Sequence, residues 1–356
     1  MNDIPAKKER MLTFRGGGWV LVLSAFFSLV AAVLILWPAY QTGFRRAIGD
    51  GEHVETYGFD LSQLSVPAGK LIASGVPKDG IRAIPVRLAE TIRPEEVDLI
   101  KKNEHSYFLV GEDRVIGVTV GVGEKRVARA YPLRVLTLHE VCNDVLGEGP
   151  DRLPICVSYS PLCDSAVVFD RRVDAAPLGT AAVDAAPEFG VSGLLINSNL
   201  VLYDRRSAPS QESLWSQLGL KAIAGPAVGK PLPLLPYELT TWSKWREKYP
   251  QTRVLLGLRT LKDEYRAEPY ATYFHSDDVK FPVDPLWNIL GISRKTPVIA
   301  TSTDQKQWMV NPASPAEPAL ADAPHTFRIH SFLFAWYAMH AQDSDYSALT
   351  RQPIEK

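Results

Sequence analysis

Cys163 and His139 are the residues of this sequence best suited to chemistry. Cys163 lies in the turn Ser160-Pro161-Leu162-Cys163, and His139 is followed directly by Glu140. A histidine within hydrogen-bond reach of a cysteine activates the thiolate as a nucleophile, and both residue types also bind metals. Cys163, His139 and Glu140 therefore form the candidate catalytic set. Two interpretations of Cys163 stay open, a reactive thiol beside His139 or a buried, inert one.

The three cysteines, Cys142, Cys156 and Cys163, are too few for a disulfide scaffold, and their odd number leaves at least one thiol unpaired. Cys142 lies on the apolar face of a predicted helix and is expected in the core. A Cys156–Cys163 disulfide stays open, since it requires Cα atoms within about 7 Å. His139-Glu140 lacks the second histidine of the zinc-protease motif, so the identity of any metal or cofactor stays unknown.

Further candidate residues are polar and lie at predicted strand ends. The pairs Asp170-Arg171 and Asp204-Arg205 each end a strand, so their side chains could gather at one rim. The planar guanidinium of arginine suits a carboxylate or phosphate there. The alternative is a pair of structural ion pairs that fix the hairpin ends. The remaining candidate binding residues are Asp164, Ser165, Asn197, Asn199 and Trp215.

Short apolar runs between turns predict the strands that would position these residues. The predicted strands are Tyr107–Val110, Val115–Val122, Arg126–Tyr131, Ile155–Tyr159, Ala166–Phe169, Val191–Ile196, Leu200–Tyr203 and Arg253–Leu258. The predicted helices are Arg93–Asn103, Val135–Leu146 and a segment capped by Thr240-Thr241 that ends at Tyr249. Loops rich in Pro and Ala are predicted at 174–187 and 312–324, and Phe327–Met339 is expected in the core. No internal repeat stands out, so the sequence predicts a strand-rich single globular domain of the α+β class.

Composition excludes some classes of protein. The 356 residues include 39 Lys+Arg and 40 Asp+Glu, for a net charge of -1, which argues against a nucleic-acid partner because such proteins carry a basic face. Hydrophobic residues make up 46% of the chain, enough for a substantial core.

The segment Trp19 to Trp37 is uncharged and about 28 Å long as a helix, which matches the hydrocarbon thickness of a bilayer. It predicts one transmembrane helix over 18–40, and the basic residues before it place the N-terminus inside. A cleaved signal peptide is the alternative, but Pro38-Ala39-Tyr40 is a poor cleavage site. Residues 1–17 are predicted as a cytoplasmic tail, and residues 41–70, after the transmembrane helix, as a juxtamembrane segment. Residues 71–342 are predicted as an extracytoplasmic (periplasmic) domain, and residues 343–356 as a C-terminal tail.

Several ordered motifs resemble the domain of unknown function 3179 (DUF3179) family. They include Ala128–Leu136, His139-Glu140, Pro161–Arg171, Phe189–Gly193, Asn197–Leu200, Tyr203–Arg205 and Ser213–Gln217. The resemblance spans most of residues 70–342 and implies the extent of a domain, since the family has no agreed activity. In the family the turn typically reads Cys-Pro-Leu-Cys, whereas this chain has Ser160 at the first position. A two-thiol redox cycle within the turn is therefore excluded.

The sequence favours a membrane-anchored extracytoplasmic binding or accessory module of the cell envelope with no defined catalytic activity. Its partners would be the membrane, through the N-terminal helix, and another envelope protein. The alternative is a thiol- or metal-dependent envelope enzyme or metalloprotein that uses Cys163 and His139. A role in folding or metal loading of another envelope protein is a third interpretation.

Overall fold

The computed structural model describes residues 48–103, 109–121, 123, 126–173, 182–288, 291–313 and 326–350, together with residues 20, 23–24 and 26–30. Within these residues no helix has both the length and the apolar character that crossing a membrane requires. Most of the predicted span at 18–40 and all of the tail at 1–17 lie outside them, as do most of the predicted loops at 174–187 and 312–324. Residues from Ala47 onward form one compact unit.

The unit from Ala47 onward is a strand-rich α+β domain, as predicted. Its strands, numbered β1 to β18 in chain order, are Leu71–Ala73, Ile84–Pro85, Glu90–Ile92, Arg114–Val120, Val127–Pro132, Val141–Leu146, Leu153–Ser160, Ser165–Asp170, Phe189–Ile196, Asn199–Asp204, Leu214–Ser216, Lys221–Ala224, Glu238–Thr241, Arg253–Gly257, Pro297–Ser302, Trp308–Pro312, Phe327–Phe332 and Ser344–Asp345. Its helices, numbered α1 to α6, are Pro94–Asn103, Leu133–His139, Trp242–Lys248, Ala271–Phe274, Leu333–His340 and Ser347–Thr350.

The described strands form three sheets. Sheet 1 has the order β1-β9-β10-β11-β12, sheet 2 the order β13-β4-β5-β14-β3, and sheet 3 the order β18-β16-β15-β17-β8-β7-β6-β2. Most neighbouring strands are antiparallel, and strands such as β8 and β10 are buried along their whole length. Such strands read as continuous apolar runs because both faces are covered, which is why their prediction from the sequence is confirmed.

The predicted helix over Val135–Leu146 is wrong in its second half. Helix α2 ends at His139, and Glu140 adopts a left-handed conformation with a φ of 54°. The chain then continues as β6, which pairs with β7, so Cys142 is buried on a strand rather than on a helix face. The apolar residues of 141–146 fit the helix period by coincidence, and pairing with β7 decides the conformation.

Two hairpins of the core repeat the same pattern, contrary to the expectation of no repeat. A shift of 34 residues brings Ser165 of β8 onto Asn199 of β10, and the segment Asp170-Arg171-Arg172 onto Asp204-Arg205-Arg206. The hydrogen bonds repeat as well: the Ser158 hydroxyl donates to the Val167 carbonyl at 2.9 Å, and the equivalent Ser192 hydroxyl donates to Val201 at 2.6 Å. The β7–β8 hairpin lies in sheet 3, and the β9–β10 hairpin lies in sheet 1.

Segments at both ends of the domain pack against the sheets. Residues 48–70, predicted as a juxtamembrane segment, contact sheet 1 through Tyr57, which is fully buried and donates to the Val76 carbonyl at 2.7 Å. The predicted tail contributes β18 and α6, up to residue 350.

Other predicted elements can be compared directly with the structure. Thr241 caps α3 as predicted, and Phe327–Met339 divides into β17 and α5 in the core. Leu109 and Val110 of the predicted strand Tyr107–Val110 are not in a strand.

Candidate functional site

The imidazole of His139 is held at both ring nitrogens. Nδ1 lies 2.7 Å from the Arg82 carbonyl oxygen, which can only accept, so Nδ1 carries the hydrogen. Nε2 lies 2.8 Å from the Tyr265 hydroxyl and accepts from it, while that hydroxyl accepts from the Leu258 amide at 3.0 Å. Burial lowers the pKa of His139 and favours this neutral form. Both positions that a base or a metal ligand would use are therefore occupied.

Cys163 is fully buried in the turn between β7 and β8. Its thiol donates to the Ser198 carbonyl at 3.3 Å, and burial raises its pKa to about 12. His139 is not its hydrogen-bond partner. Cys142 and Cys156 are also buried and free, so the Cys156–Cys163 disulfide is absent. Cys156 and Ser160 lie four positions apart on β7, which places their Cα atoms roughly 13 Å from each other.

Glu140 has a buried carboxyl group. The residue is 7% exposed, and among the described residues its carboxyl group has no hydrogen-bond or ion-pair partner. Burial raises its pKa to about 8, because the charged form loses its hydration. A charge on Glu140 would be felt by Cys163 and Tyr270, since it contributes to raising the pKa of both side chains. Of the predicted catalytic set, only the charge of Glu140 influences Cys163, and no hydrogen bond among the described residues joins Cys163 to Glu140 or His139.

A cleft of about 300 Å³ opens beside this buried group. One wall comes from the loop before β4 and from α2, and the other from residues 267–274 around α4. Tyr159 at the end of β7 lines it as well, and its amide donates to the Glu140 carbonyl oxygen at 2.8 Å. Tyr159, Tyr270 and Phe274 are the aromatic residues of the lining, and of these Tyr159 is only 2% exposed. The cleft is thus lined by Tyr159 and by residues of α2 and α4, and Cys163 is not part of its lining.

Arg114 and Asp164 join this cleft to the turn that carries Cys163. One nitrogen of the Arg114 guanidinium donates to both carboxylate oxygens of Asp164 at 3.0 Å, and the Tyr159 hydroxyl donates to the same carboxylate at 2.7 Å. The Asp164 side chain is 9% exposed, whereas that of Arg114 is 42% exposed. Asp164, predicted as a binding residue, therefore orients Arg114 and Tyr159 from beneath the cleft.

A second arginine of the cleft is also paired. Nε of Arg134 donates to Asp113 at 2.7 Å, and its terminal nitrogen donates to Glu268 at 2.9 Å. This pairing crosses the cleft, because Arg134 belongs to α2 while Glu268 precedes α4 on the opposite wall. The two walls are thus linked by an ion pair.

The aspartates of the two Asp-Arg pairs each form an ion pair at the end of their own hairpin. Asp170 pairs with Arg172 and Asp204 with Arg206, in each case two residues further along the chain. Arg171 is buried and donates to backbone carbonyls, among them Ile155 at 3.1 Å and Pro187 at 2.8 Å. The two aspartates lie in different sheets, and neither lines the cleft. These contacts fix the ends of the two hairpins.

Arg205 takes part in a separate charged cluster. Its terminal nitrogen donates to Asp79 at 2.7 Å, and its Nε donates to the Tyr203 hydroxyl at 3.2 Å. The carboxylate of Glu188 lies 3.7 Å from the other terminal nitrogen of Arg205. The group is partly exposed at the end of β10, with every charge in it paired.

The predicted binding residues Ser165 and Asn199 meet in the interior. The Asn199 amide donates to the Ser165 hydroxyl at 3.0 Å and to the Gln217 side-chain oxygen at 2.9 Å, and Gln217 in turn donates to Ser158 at 3.1 Å. All four side chains are buried. The network joins the two equivalent hairpins, so these residues are arranged for packing rather than for contact with a ligand.

Trp215 and Asn197 also have contacts inside the fold. Trp215 is fully buried and packs edge-on against Phe189, with ring centroids 5.8 Å apart. The Asn197 side-chain oxygen accepts from the Asp284 amide at 3.0 Å. Neither side chain reaches the cleft.

The family comparison covers the residues of this site. A family model described as "Protein of unknown function (DUF3179)" matches residues 78–322, more than half of the chain. The chain belongs to the DUF3179 family. Neither the curated proteins nor the solved structures include a significant match. The family match includes both walls of the cleft and both equivalent hairpins, so all of these features belong to the DUF3179 part of the chain.

The described part of this DUF3179 domain contains no group of three or more His, Cys, Asp and Glu side chains placed to hold a metal ion. The cleft residues Arg114, Arg134, Tyr159 and Tyr270 were not predicted from the sequence. They come from four separate segments, and only their positions in sheets 2 and 3, in α2 and beside α4 bring them together. The one local signal was the Arg134 position within the family-like run Ala128–Leu136.

Proposed function

We propose that the protein is a membrane-anchored extracytoplasmic binding or accessory module of the cell envelope, without catalytic activity of its own, whose partner binds at the cleft between α2 and α4. The uncharged segment at 18–40 supports the anchor, and the basic residues before it support the orientation. The cleft supports the binding role, because it is concave, partly aromatic and rimmed by fixed charges.

One observation carries this proposal: the open cleft and the most nucleophilic residue are separate. Cys163 is fully buried, its thiol is hydrogen bonded to Ser198, and its pKa lies far above the range in which a thiolate forms. His139 is held by Arg82 and Tyr265. The alternative, a thiol- or metal-dependent enzyme or metalloprotein using Cys163 and His139, would require both residues to leave these contacts.

Site-specific photocrosslinking in native membranes tests the binding site. The full chain would carry a photoreactive amino acid at Thr137 or at Phe274, one on each wall of the cleft. Met309 on β16, 56% exposed and not part of the cleft, is the matched control position. We expect the same discrete protein adduct from both cleft positions and not from Met309. Adducts that are absent from the cleft, or equal at all three positions, would contradict the proposal.

The anchor and its orientation need a test of their own. In right-side-out membrane vesicles, added protease is expected to digest the domain, and in inside-out vesicles the domain is expected to be protected. Deletion of residues 1–46 is expected to release the protein from the membrane. A full chain that washes off membranes with salt would refute the anchor and leave the crosslinking result to decide the binding role.

A further inference from the structure

We propose that the cleft recognises a basic side chain, a lysine or arginine, of a partner protein. This inference rests on the proposed function and deepens it by assigning the chemical class of the bound group. It follows from three features of the cleft: the pairing of its arginines, its excess of carboxylates and its aromatic walls.

Both arginines of the cleft already have carboxylate partners that belong to the fold. Arg114 donates to both oxygens of Asp164, and Arg134 is shared between Asp113 and Glu268. The positive charge of each guanidinium is thus already balanced by a carboxylate, and an anionic ligand would gain a full counter-charge only by displacing one of them. Displacement would leave a largely buried carboxylate such as Asp164 without its counter-charge, which is costly.

The carboxylates of the cleft outnumber its arginines. Glu112, Asp113 and Glu268 line it, against Arg114 and Arg134, and Asp164 lies behind Arg114. Arg134 neutralises only one of its two acidic partners. Glu112 is exposed and, among the described residues, has no ion-pair partner. The field inside the cleft is therefore negative, and it favours a cation.

The walls suit the body of such a side chain. Tyr270 and Phe274 line the cleft and keep part of their surface exposed, and their rings are nearly parallel, at 24° with centroids 6.2 Å apart. Aromatic faces attract cations, and they also pack against the methylene groups that lead to a charged head. A basic side chain combines both parts.

The same fold already contains a cation in such surroundings. Nζ of Lys78 lies 4.4 Å from the ring centroid of Phe59 and 4.2 Å from that of Tyr203, and it pairs with the buried Glu212. Aromatic rings and a carboxylate thus hold one internal lysine. The cleft presents the same combination of groups at the surface, open to a side chain from another molecule.

The test uses the full chain in mild detergent and the rate at which one introduced thiol is alkylated by N-ethylmaleimide. The three native cysteines are fully buried, so Ala271→Cys on the cleft wall provides the reactive thiol. Met309→Cys, outside the cleft, is the control for effects on the reagent. The probes are the N-acetyl methylamides of lysine, arginine, norleucine and glutamate. Norleucine has the stem of lysine without its charge.

We expect lysine or arginine amide to protect the Ala271→Cys thiol at concentrations about tenfold lower than norleucine amide does. Glutamate amide should not protect this thiol. No probe should protect the thiol of Met309→Cys. Glu112→Gln should weaken the protection by cations about threefold, whereas Glu247→Gln, an exposed acid on α3, should not change it. Equal or stronger protection by norleucine or glutamate amide would overturn the assignment of a basic group and leave the cleft as a binding site. Absence of protection by every probe would also overturn it, and the photocrosslinks would then decide the proposed function independently.

Discussion

The thiol of Cys163 donates a hydrogen bond to the carbonyl oxygen of Ser198, 3.3 Å away, and thereby ties together the turns of the two equivalent hairpins. The segment 267–288 crosses above both turns. Its Tyr273 hydroxyl donates to the Leu162 carbonyl at 2.9 Å, and its Phe281 carbonyl accepts from the Ser198 hydroxyl at 3.0 Å. Cys163 is therefore inaccessible because this segment and the second hairpin cover it.

Tyr273→Phe is expected to make Cys163 more accessible without unfolding the protein. The change removes the hydrogen bond to Leu162, which is worth about 1 kcal/mol, so local opening should become roughly fivefold more frequent. The measurement is the alkylation rate of each cysteine in the native protein, resolved by mass spectrometry of peptides. Cys142 and Cys156 serve as internal controls because they lie in strands of sheet 3. A parallel increase at all three thiols would indicate global destabilisation and contradict the local explanation.

The hairpins could be predicted from the sequence because their strands are continuous apolar runs between turn residues, as in Ser165–Asp170 and Asn199–Asp204. Strand β6 could not, because 141–146 satisfies the helix period, and the change of conformation at Glu140 depends on contacts with β7. The sequence signal of the 34-residue repeat is the pair of runs that end in Asp-Arg-Arg. It is easily missed because the turns between the strands differ in sequence.

The candidate site was predictable only in part. Glu140 and Asp164 were selected from the sequence, and both lie beside the cleft. Ser165 and Asn199 are polar and follow turns, which suggested binding, yet they hydrogen bond to each other inside the fold. Sequence patterns show that a residue is polar and near a turn. They do not show whether its partner is a ligand or another buried side chain.

Replacing Lys78 or Glu212 alone is expected to destabilise the protein strongly. Their side chains are 5% and 3% exposed, so Lys78→Met or Glu212→Leu would leave an unpaired buried charge, at a cost of about 3–5 kcal/mol. The double variant should recover much of this loss because no charge remains. The measurement is the free energy of unfolding from urea titrations of all four proteins. If the single changes cost no more than the double, the two side chains are not paired in solution.

Tyr265→Phe tests the arrangement that holds His139. Loss of the hydroxyl leaves His139 Nε2 and the Leu258 amide without this partner, and a cost of about 1–3 kcal/mol in the free energy of unfolding is expected. Tyr249→Phe is the control, because its partner Glu238 is partly exposed and can be hydrated instead. Equal effects of the two changes would show that the His139–Tyr265 hydrogen bond contributes nothing specific.

Glu140→Gln is expected to stabilise the protein, by an amount that depends on pH. Burial raises the pKa of this carboxyl from 4.5 to about 8, so the folded state holds a proton that the unfolded state releases. The resulting loss in the free energy of unfolding is absent below pH 4.5, grows as the pH rises from there and becomes constant above about pH 8. Glutamine has nearly the same shape and no charge, so at pH 7 its gain is at most about 3 kcal/mol.

Urea titrations of the wild type and the Glu140→Gln variant at pH 4.5 to 8.5 would measure this dependence, with Glu247→Gln as the matched change at an exposed position of α3. The difference for Glu140→Gln should increase across this range, and that for Glu247→Gln should stay within about 0.5 kcal/mol of zero. A loss of stability in Glu140→Gln that is constant with pH would mean that the carboxyl is ionised and paired when folded. A gain that rises with pH would establish a buried, protonated acid directly behind the cleft wall, where its charge state can influence Tyr270.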